Sequence, residues 1–547
     1  MQVLTVVFGM AMSAIMPIVR IDTKGVEIPR GKTYISADIE FVDQENSFSA
    51  HKTQIRPRGN ISLNAPKKSY KIKFETKMPM LGSEAAAGKS WNLVANHFDA
   101  SLMRNIAAYR IGSVLDNMPY TPKCKSVEVY LNNDYQGVYL LVEPTGVSKG
   151  RIAITENPNS IEDNGYLVEM SRYAETDSFT VDFATYEIKS DLSSDINIYR
   201  KQIEYIRDYT SRAMKALKSG NREEAEKYID INSLVDNCIA NDLAKNIDVG
   251  WASYFFYKDA GGKLVFSPMW DYDLAFGNNN EAKGYTSPKG VGLFNVSDCN
   301  ANSNPWIGAA LQQEWFRKLI KTRWHEVNKE IKAIPQYIKD QAENYADAYN
   351  RNFEKWPANM GKAIFNEPED IWSLKSHKQH AGFLAQWIED RIVWYDKYYD
   401  SKEFQKGIWI DENGKTIPSD NVAAFSTVQM WGMDAIMDDT NTGFTVQASE
   451  NPRGSLNING MMLESGKPYV LSFDYISNGD ATVSYRLQAN HGRHEQYMSS
   501  SVQATGKRNS VKESVVIPVN DFNTTLSFRV SGSGTVTISN LNLTQVK

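Results

Sequence analysis

Apolar and polar residues alternate with period two in several short stretches near the start of the chain. Ile18-Val19-Arg20-Ile21, Ile35 to Phe41 and Tyr70 to Phe74 each show this pattern and predict strands within residues 17–75. Ser101 to Leu115 switches to helical spacing, with Leu102, Ile106, Tyr109 and Ile111 apolar and Ser101 available as a cap. Residues 127–131 and 137–143 read as a hairpin around Asn132-Asn133-Asp134. Helical periodicity then dominates 198–244, with an Arg/Glu-rich exposed patch from Lys218 to Lys227, and again 306–350 and 376–399. In the last of these, Leu384, Trp387, Ile388, Ile392 and Tyr395 share one face.

Near residue 405 the helical period disappears and Ser, Thr, Asn and Gly become frequent. Short alternating runs follow at Phe444–Gln447, Tyr469–Tyr475, Thr482–Leu487, Ser514–Pro518, Thr525–Val530 and Thr535–Leu543. That spacing predicts a β-sandwich of jelly-roll type. The expected organisation is a candidate signal segment at 1–16, a main domain at 17–405, a linker at 406–419 and the sandwich at 420–547. Sandwiches of this kind often bind carbohydrate, with Tyr485, His491, His494 and Tyr497 as the polar-aromatic candidates. The plainer reading makes those residues core or rim.

Composition narrows the class. With 42% hydrophobic and 23% charged residues the 547-residue chain is globular, and its net charge of −5 argues against a general nucleic-acid binder. Cys124, Cys238 and Cys299 fit neither a disulfide framework nor a Cys-x-x-Cys metal site and are expected as small buried hydrophobes. Residues 3–14 resemble the apolar core of a secretory signal, with small residues at Ala11, Ser13 and Ala14, although no basic residue precedes Arg20. A secreted, periplasmic or cell-surface location is expected, with no integral membrane segment beyond that signal.

The densest chemistry lies between Asn246 and Asn278. Asp248 precedes the run Tyr254-Phe255-Phe256-Tyr257, and Asp271 and Asp273 follow a second run, Lys263 to Trp270, across a turn at Gly261-Gly262. A hairpin would gather the three carboxylates at its open end, and Asp271 and Asp273, two apart on a strand, would face the same way. Hard oxygen ligands in one cleft suit Mg²⁺ or Mn²⁺, and one of them can serve as a base. Lys52 to Lys77 holds eight Lys/Arg against a single acid, Glu75, and is a phosphate-facing candidate. On its strand Lys71 and Lys73 share one face, and strand geometry does not choose between them.

These segments, in order, resemble the CotH family, named after a bacterial spore-coat protein kinase. The resemblance rests on Arg58-Gly59-Asn60, the Lys67–Phe74 stretch, Trp91-Asn92-Leu93 with Asn96 and Asp99, and Leu102-Met103-Arg104-Asn105. It continues through Val127–Leu131 and Gly137–Glu143 to the Asp248 and Trp270–Asn278 segments. It implies an α+β, atypical two-lobed protein-kinase-like domain, for which a strand-rich first half and a helical second half are the right order. It further implies an ATP-dependent kinase with Mg²⁺ (or Mn²⁺), acting on Ser/Thr of protein or on other hydroxyls, glycan included.

By the same resemblance Asp248 is the catalytic base and Asp271 the metal-binding aspartate, with Asp273 a second ligand or orienting acceptor. Lys71 or Lys73 contacts the α/β-phosphates, helped by Arg58, and Glu143 sits where a hinge meets adenine. Arg104 and Asn105 are left between pairing with Asp99, contacting phosphate, and capping. Glu169 has no assignable role. The chain departs from ordinary kinases in lacking a Gly-x-Gly-x-x-Gly loop and a His-Arg-Asp motif, and in placing Ser253 where a metal-binding asparagine is usual. Arg58-Gly59-Asn60 is the candidate replacement for the phosphate cover. Ser253 would be a weaker metal ligand.

The alternative is a non-catalytic surface or adhesion protein, a pseudokinase scaffold whose sandwich binds polysaccharide. A glycoside hydrolase, which needs a carboxylate pair across a sugar cleft, fits poorly with the basic Lys52–Lys77 segment.

Overall fold

The computed structural model describes residues 15–44, 47–282, 284–357, 360–418, 420–438, 442–450, 454–489 and 495–546. The expected signal stretch up to Ala14, and the sugar-binding candidates His491 and His494, lie outside the described residues. The chain forms two compact units, one from 1–111, 122–152 and 330–386, the other from 112–121, 153–329 and 387–547.

In the first unit the alternating runs close into a barrel. Its strands follow the order Ile18–Asp22, Ile35–Val42, Phe48–Arg58, Ser69–Met78, Gly88–Val94, Asp134–Val142 and Cys124–Leu131. The last returns to pair in parallel with the first. Closure removes the free sheet edges. Tyr70, Ile72 and Phe74 point into a core shared with Val19, Ile39, Ile55, Trp91 and Leu141, so Lys71 and Lys73 point outward, Lys71 half-buried and Lys73 exposed. The predicted hairpin is present. Asn132 and Asn133 take φ of 50° and 68°, the left-handed pair that a tight two-residue hairpin turn requires.

The first long helix, Arg104–Val114, begins later than the apolar spacing predicts, because Leu102 takes a left-handed φ of 55°. Its cap is also different. The Asp99 carboxylate, not Ser101, accepts the Arg104 N–H at 2.9 Å, and it accepts the Ser101 N–H at 2.9 Å and hydroxyl at 2.6 Å. The Arg104 guanidinium pairs with the same carboxylate at 2.5 Å, both side chains being fully buried. That favours the Asp99 reading of Arg104 over the phosphate one. Asn105 donates to Asn96 Oδ1 at 3.0 Å, and Asn96 to the Leu102 carbonyl at 3.1 Å, so this asparagine pair braces the same turn.

The second unit contains an antiparallel sheet in the order Leu264–Val265, Tyr254–Lys258, Tyr166–Met170, Ala184–Ile188, Ser178–Val181. The strand-rich and helical parts of the sequence are therefore mixed more than the linear pattern predicts. The Tyr254–Lys258 hairpin exists, but its second strand is only Leu264–Val265. The ladder ends at Val265, and the next N–H, that of Phe266, turns to the Ser233 hydroxyl at 3.0 Å, so the chain leaves the sheet well before Trp270. Asp271 and Asp273 are thus not on a strand, and the argument that they face the same way from a strand fails. In the His377–Tyr398 helix, Leu384, Trp387, Ile388, Ile392 and Tyr395 are all buried, as their spacing predicts.

The C-terminal strands form two five-stranded sheets around one core that includes Leu456, Phe473, Val483, Phe528 and Ile538. Of the strands the alternation missed, Ser455–Leu463 carries a register shift at Gly460 and Gln496–Ala504 is a serine-rich edge. Tyr485, proposed for an exposed sugar site, is instead a core residue. Its ring packs at 5.1 Å from Phe473 and its hydroxyl donates to Glu513 at 2.6 Å. Tyr497 is half-buried and donates to Asp521 at 2.8 Å. The sheet continues across its edge. The Ala301 N–H donates to the Gly460 carbonyl at 2.7 Å and the Met462 N–H to the Cys299 carbonyl at 2.9 Å. All three cysteines are free thiols, and burial pushes Cys124 and Cys299 up to about 12. No helix among the described residues is long and apolar enough to cross a membrane.

Removing Asp99 leaves the Arg104 guanidinium buried without its carboxylate. Asp99→Ala should cost about 3–5 kcal/mol, the usual loss when one partner of a buried pair is deleted. Equilibrium denaturation measures this, and a loss below about 1 kcal/mol would place the pair among weakly contributing ones.

Candidate functional site

In the second unit the Ile231–Ala244 helix ends on Lys245, which takes a left-handed φ of 43°. The chain turns through a 3-10 segment, Ile247–Gly250, which carries Asp248, and enters the Tyr254–Lys258 strand through Ser253, also left-handed at 60°. Asn246 caps this turn, its side-chain carbonyl accepting the Asp248 N–H at 3.1 Å.

Asp248 and the Trp270–Asp273 segment are tied to one helix residue. Asn241 Oδ1 accepts the Tyr272 hydroxyl at 2.8 Å and the Asn246 amide at 3.4 Å. The Asn241 amide in turn donates to the Asn237 side chain and carbonyl, each at 3.0 Å. These buried asparagines, Tyr272 and Ser253 line a small cavity. Sequence reasoning quoted Asn246 only as a landmark. A signal for the network was present in the i, i+4 spacing of Asn237 and Asn241 on a helix otherwise rich in apolar residues.

The Asp248 carboxylate accepts no hydrogen bond among the described residues. Burial pushes its pKa up to about 7, and the charges of Asp271 and Glu281 push in the same direction. Asp248 and Asp271, separate in sequence, therefore share one electrostatic neighbourhood, and Glu281 joins them. Glu281 was not foreseen. It is an acid just beyond the run Asn278-Asn279-Asn280, which marks irregular chain. Asp271 takes a left-handed φ of 65°, which few residues other than Gly, Asn and Asp adopt readily. Asp273 is half-buried, and its carbonyl accepts the Asn278 amide at 2.8 Å.

The irregular chain that follows is held from two sides. The buried Lys245 ammonium donates to the carbonyls of Gly284 at 2.6 Å, Ser287 at 2.9 Å and Lys289 at 2.5 Å. The buried Arg391 guanidinium donates to the carbonyls of Pro288 at 2.9 Å, Gly290 at 2.6 Å and Asp242 at 2.8 Å. Gly277, at φ 79°, is needed as glycine, since a Cβ there would sit 2.6 Å from the Trp387 ring nitrogen. That nitrogen donates to the Thr286 carbonyl at 2.8 Å.

Ser253 is held through its backbone, its N–H donating to Glu169 at 3.2 Å, and Glu169 pairs with Lys189 at 3.0 Å. This gives Glu169 the role the sequence left open. Among the described residues no group of three or more His, Cys, Asp or Glu is arranged as a metal cluster.

The first unit carries the cationic candidates. Lys71 lies opposite Arg56 in the strand register. Burial pulls its pKa down, and the charges of Arg56, Arg58, Lys73 and Arg151 add to the effect. No acid appears among those influences. Lys73 is exposed and lies 6.0 Å from the Tyr34 ring. Gly59 has a φ of 113°, and a Cβ there would come within 2.0 Å of the Ser62 hydroxyl, so the Arg58-Gly59-Asn60 turn depends on glycine. Lys67 is a structural lysine. It is buried, donates to Asn352 at 2.9 Å and has its pKa pulled down by burial to about 7. Glu143 is buried as well, one oxygen accepting from Arg151 at 2.9 Å and the other from the Lys123 N–H at 3.0 Å. Its carboxylate is engaged inside the unit, and its N–H donates to the Lys123 carbonyl at 3.1 Å.

None of the curated proteins matches this chain. Among solved structures, similarity is found to a carbohydrate-binding module described as "CBM4 structure and function", at 15% identity over 22% of this chain and 88% of that one, with a TM-score of 0.20. The N-terminal cellulose-binding domain of Cellulomonas fimi β-1,4-glucanase C matches at 17% identity over 22% of this chain and 89% of its own, with a TM-score of 0.20. The CBM22-1 xylan-binding domain of Paenibacillus barcinonensis Xyn10C matches at 9% identity over 23% and 92%, with a TM-score of 0.19. No shared fold follows from scores of this size.

The model of the family described as CotH kinase protein matches residues 55–395, most of the chain and every candidate described above. The chain belongs to the CotH kinase protein family.

Proposed function

We propose that this protein is an exported, ATP-dependent phosphotransferase that transfers the γ-phosphoryl group to a hydroxyl, on protein Ser/Thr or another acceptor. The observation that carries the reading is Asp248, whose carboxylate is pushed up to about 7 by burial and by the charges of Asp271 and Glu281. A group poised there can take a proton near neutral pH and release it again.

In this reading Asp248 orients the acceptor hydroxyl and takes its proton as the oxygen bonds to the γ-phosphorus and the bond to the ADP oxygen breaks. Family membership and the acid-rich surroundings of Asp248 support a divalent cation held by Asp271 and Asp273, with Ser253 beside them. Mg²⁺ or Mn²⁺ would neutralise phosphate charge there. Lys71, whose strongest charge influences are Arg56, Arg58, Lys73 and Arg151, suits contact with a polyphosphate. The Asn241–Tyr272–Asn246 bonds position the two acidic segments relative to each other. Family membership supports the kinase class, and the two-lobed kinase-like arrangement is part of the proposal.

Asp248→Asn should keep nucleotide affinity while transfer falls by about 10²–10⁴-fold, the usual worth of a positioned base. In the wild type, activity should rise with pH through about 7 as Asp248 ionises. Glu281→Gln removes a negative charge that raises this pKa and should move the rise to lower pH. A pH–rate profile unchanged in that variant would separate Glu281 from the site. Stability carries the opposite sign. Asp248 holds its proton more tightly folded than unfolded, so folding loses stability as pH rises from about 4 to about 7. Asp248→Asn should therefore melt higher than wild type at pH 8 and match it near pH 4.

Asp271→Asn retains a residue that tolerates the left-handed backbone and removes the anionic ligand. Calorimetry should show Mg²⁺-dependent nucleotide binding lost with the melting temperature kept, and unchanged affinity would remove Asp271 from the metal site.

Lys71→Met should weaken nucleotide binding and make what remains less sensitive to salt, while Lys73→Met should change little. The reverse ranking in a binding titration would assign the phosphate contact to Lys73.

A further inference from the structure

We propose that the outward face of the sheet formed by Thr427–Trp431, Ser455–Leu463, Asp521–Gly532, Ala481–Ala489 and Gln496–Ala504 binds a polysaccharide that carries carboxylate groups. The strand register decides which side chains share this face. Leu456, Ile458, Leu526, Phe528 and Tyr485 point into the sandwich core. Their neighbours must point outward, because successive side chains on a strand alternate. Gln429, Asn457, Ser527, Arg486 and Ser499 then stand in one row across all five strands. An adjacent row carries Trp431 beside Ser455, and Arg529 beside Ser484 and Ser501.

Neither row contains a carboxylate, on a chain whose net charge is −5. Arg486 and Arg529 are exposed, and their side chains make no hydrogen bond or ion pair among the described residues. They sit diagonally on neighbouring strands, a placement that brings residues within roughly 7–8 Å of one another. Trp431 is 63% exposed at the rim. The centre is ordered by a hydrogen bond from Ser527 to Asn457 Oδ1 at 2.7 Å.

The chemistry selects the occupant. Amides and hydroxyls both donate and accept, matching sugar hydroxyls, which do the same. An exposed indole offers a flat apolar surface for the C–H face of a pyranose and a polar N–H at its edge. A five-stranded row spans about 19 Å at about 4.8 Å per strand, enough for several sugar units. Two guanidiniums without a facing acid favour a chain bearing carboxylates, which their planar fork can bind in pairs. A protein interface would need a larger apolar centre, and single-stranded nucleic acid would need more aromatic platforms and more cations. This inference is independent of the phosphotransferase reading.

The test is affinity electrophoresis of the full chain through gels containing polygalacturonate, alginate or hyaluronan, with hydroxyethylcellulose as the neutral control. Retention is expected in at least one acidic gel, weakened by salt, with little in the neutral one. Trp431→Ala and the Arg486→Ala/Arg529→Ala double variant should each weaken retention by at least tenfold at unchanged melting temperature, since all three side chains are on the surface. Retention in the neutral gel equal to that in the acidic gels would overturn the charge assignment. No retention in any gel, or undiminished retention by both variants, would overturn the site.

Discussion

The site depends on two buried cations that bond to backbone carbonyls. Between Asp271 and Gly290 the described residues of the second unit form no helix or strand, so their peptide groups lack the ladder partners that regular structure supplies. Lys245, at the end of one helix, and Arg391, within another, accept this duty and satisfy the carbonyls of Gly284, Ser287, Pro288, Lys289 and Gly290. Burial and the neighbouring Arg391 charge depress the Lys245 pKa well below that of a free lysine. The three carbonyl bonds, and the negative end of the helix it terminates, work against that depression. These clamps fix the chain just beyond the segment carrying Asp271, Asp273 and Glu281, which is itself tied back by the Tyr272 hydroxyl on Asn241 and by the Phe276 N–H on the Ala244 carbonyl at 2.7 Å.

On that frame Asp271 and Glu281 are held close enough to oppose the ionisation of Asp248. A lone buried aspartate is costly, and acids that face one another make it more so. A fold tolerates such an arrangement at a functional site when a ligand offsets the charge, and positions its members with neutral groups until it does. Asn241 does this with a single oxygen, which receives Tyr272 from one acidic segment and Asn246 from the other.

Much of the architecture was legible in local pattern. Period-two alternation located the strands around Tyr70 and the hairpin at Asn132, because one face of each is buried. It failed where burial did not alternate. The Ser455–Leu463 strand breaks step at Gly460, and the Gln496–Ala504 strand is polar on an exposed edge. The hairpin before Asp271 was visible, but its second arm was drawn too long, since the ladder ends at Val265, where the Phe266 N–H turns to Ser233, while the apolar run continues. The carboxylates Asp248 and Asp271 could be named from the motif, whereas Glu281 could not, because irregular chain has no period to extrapolate. The sequence leaves Tyr485 between a sugar-binding face and the core, and its parity with Val483 and Leu487 puts it inside; Arg486 next to it is the residue that faces out.

The clamps also bear on how this segment tolerates change. Lys245 and Arg391 hold it by main-chain oxygens, which every amino acid carries. From Gly284 to Gly290 the path of the chain is thus set largely apart from its side chains, with glycine required only at the close approaches. A loop anchored in this way can exchange its exposed groups without moving the acids upstream of it. The surface chemistry of this stretch can therefore diversify while its backbone stays put.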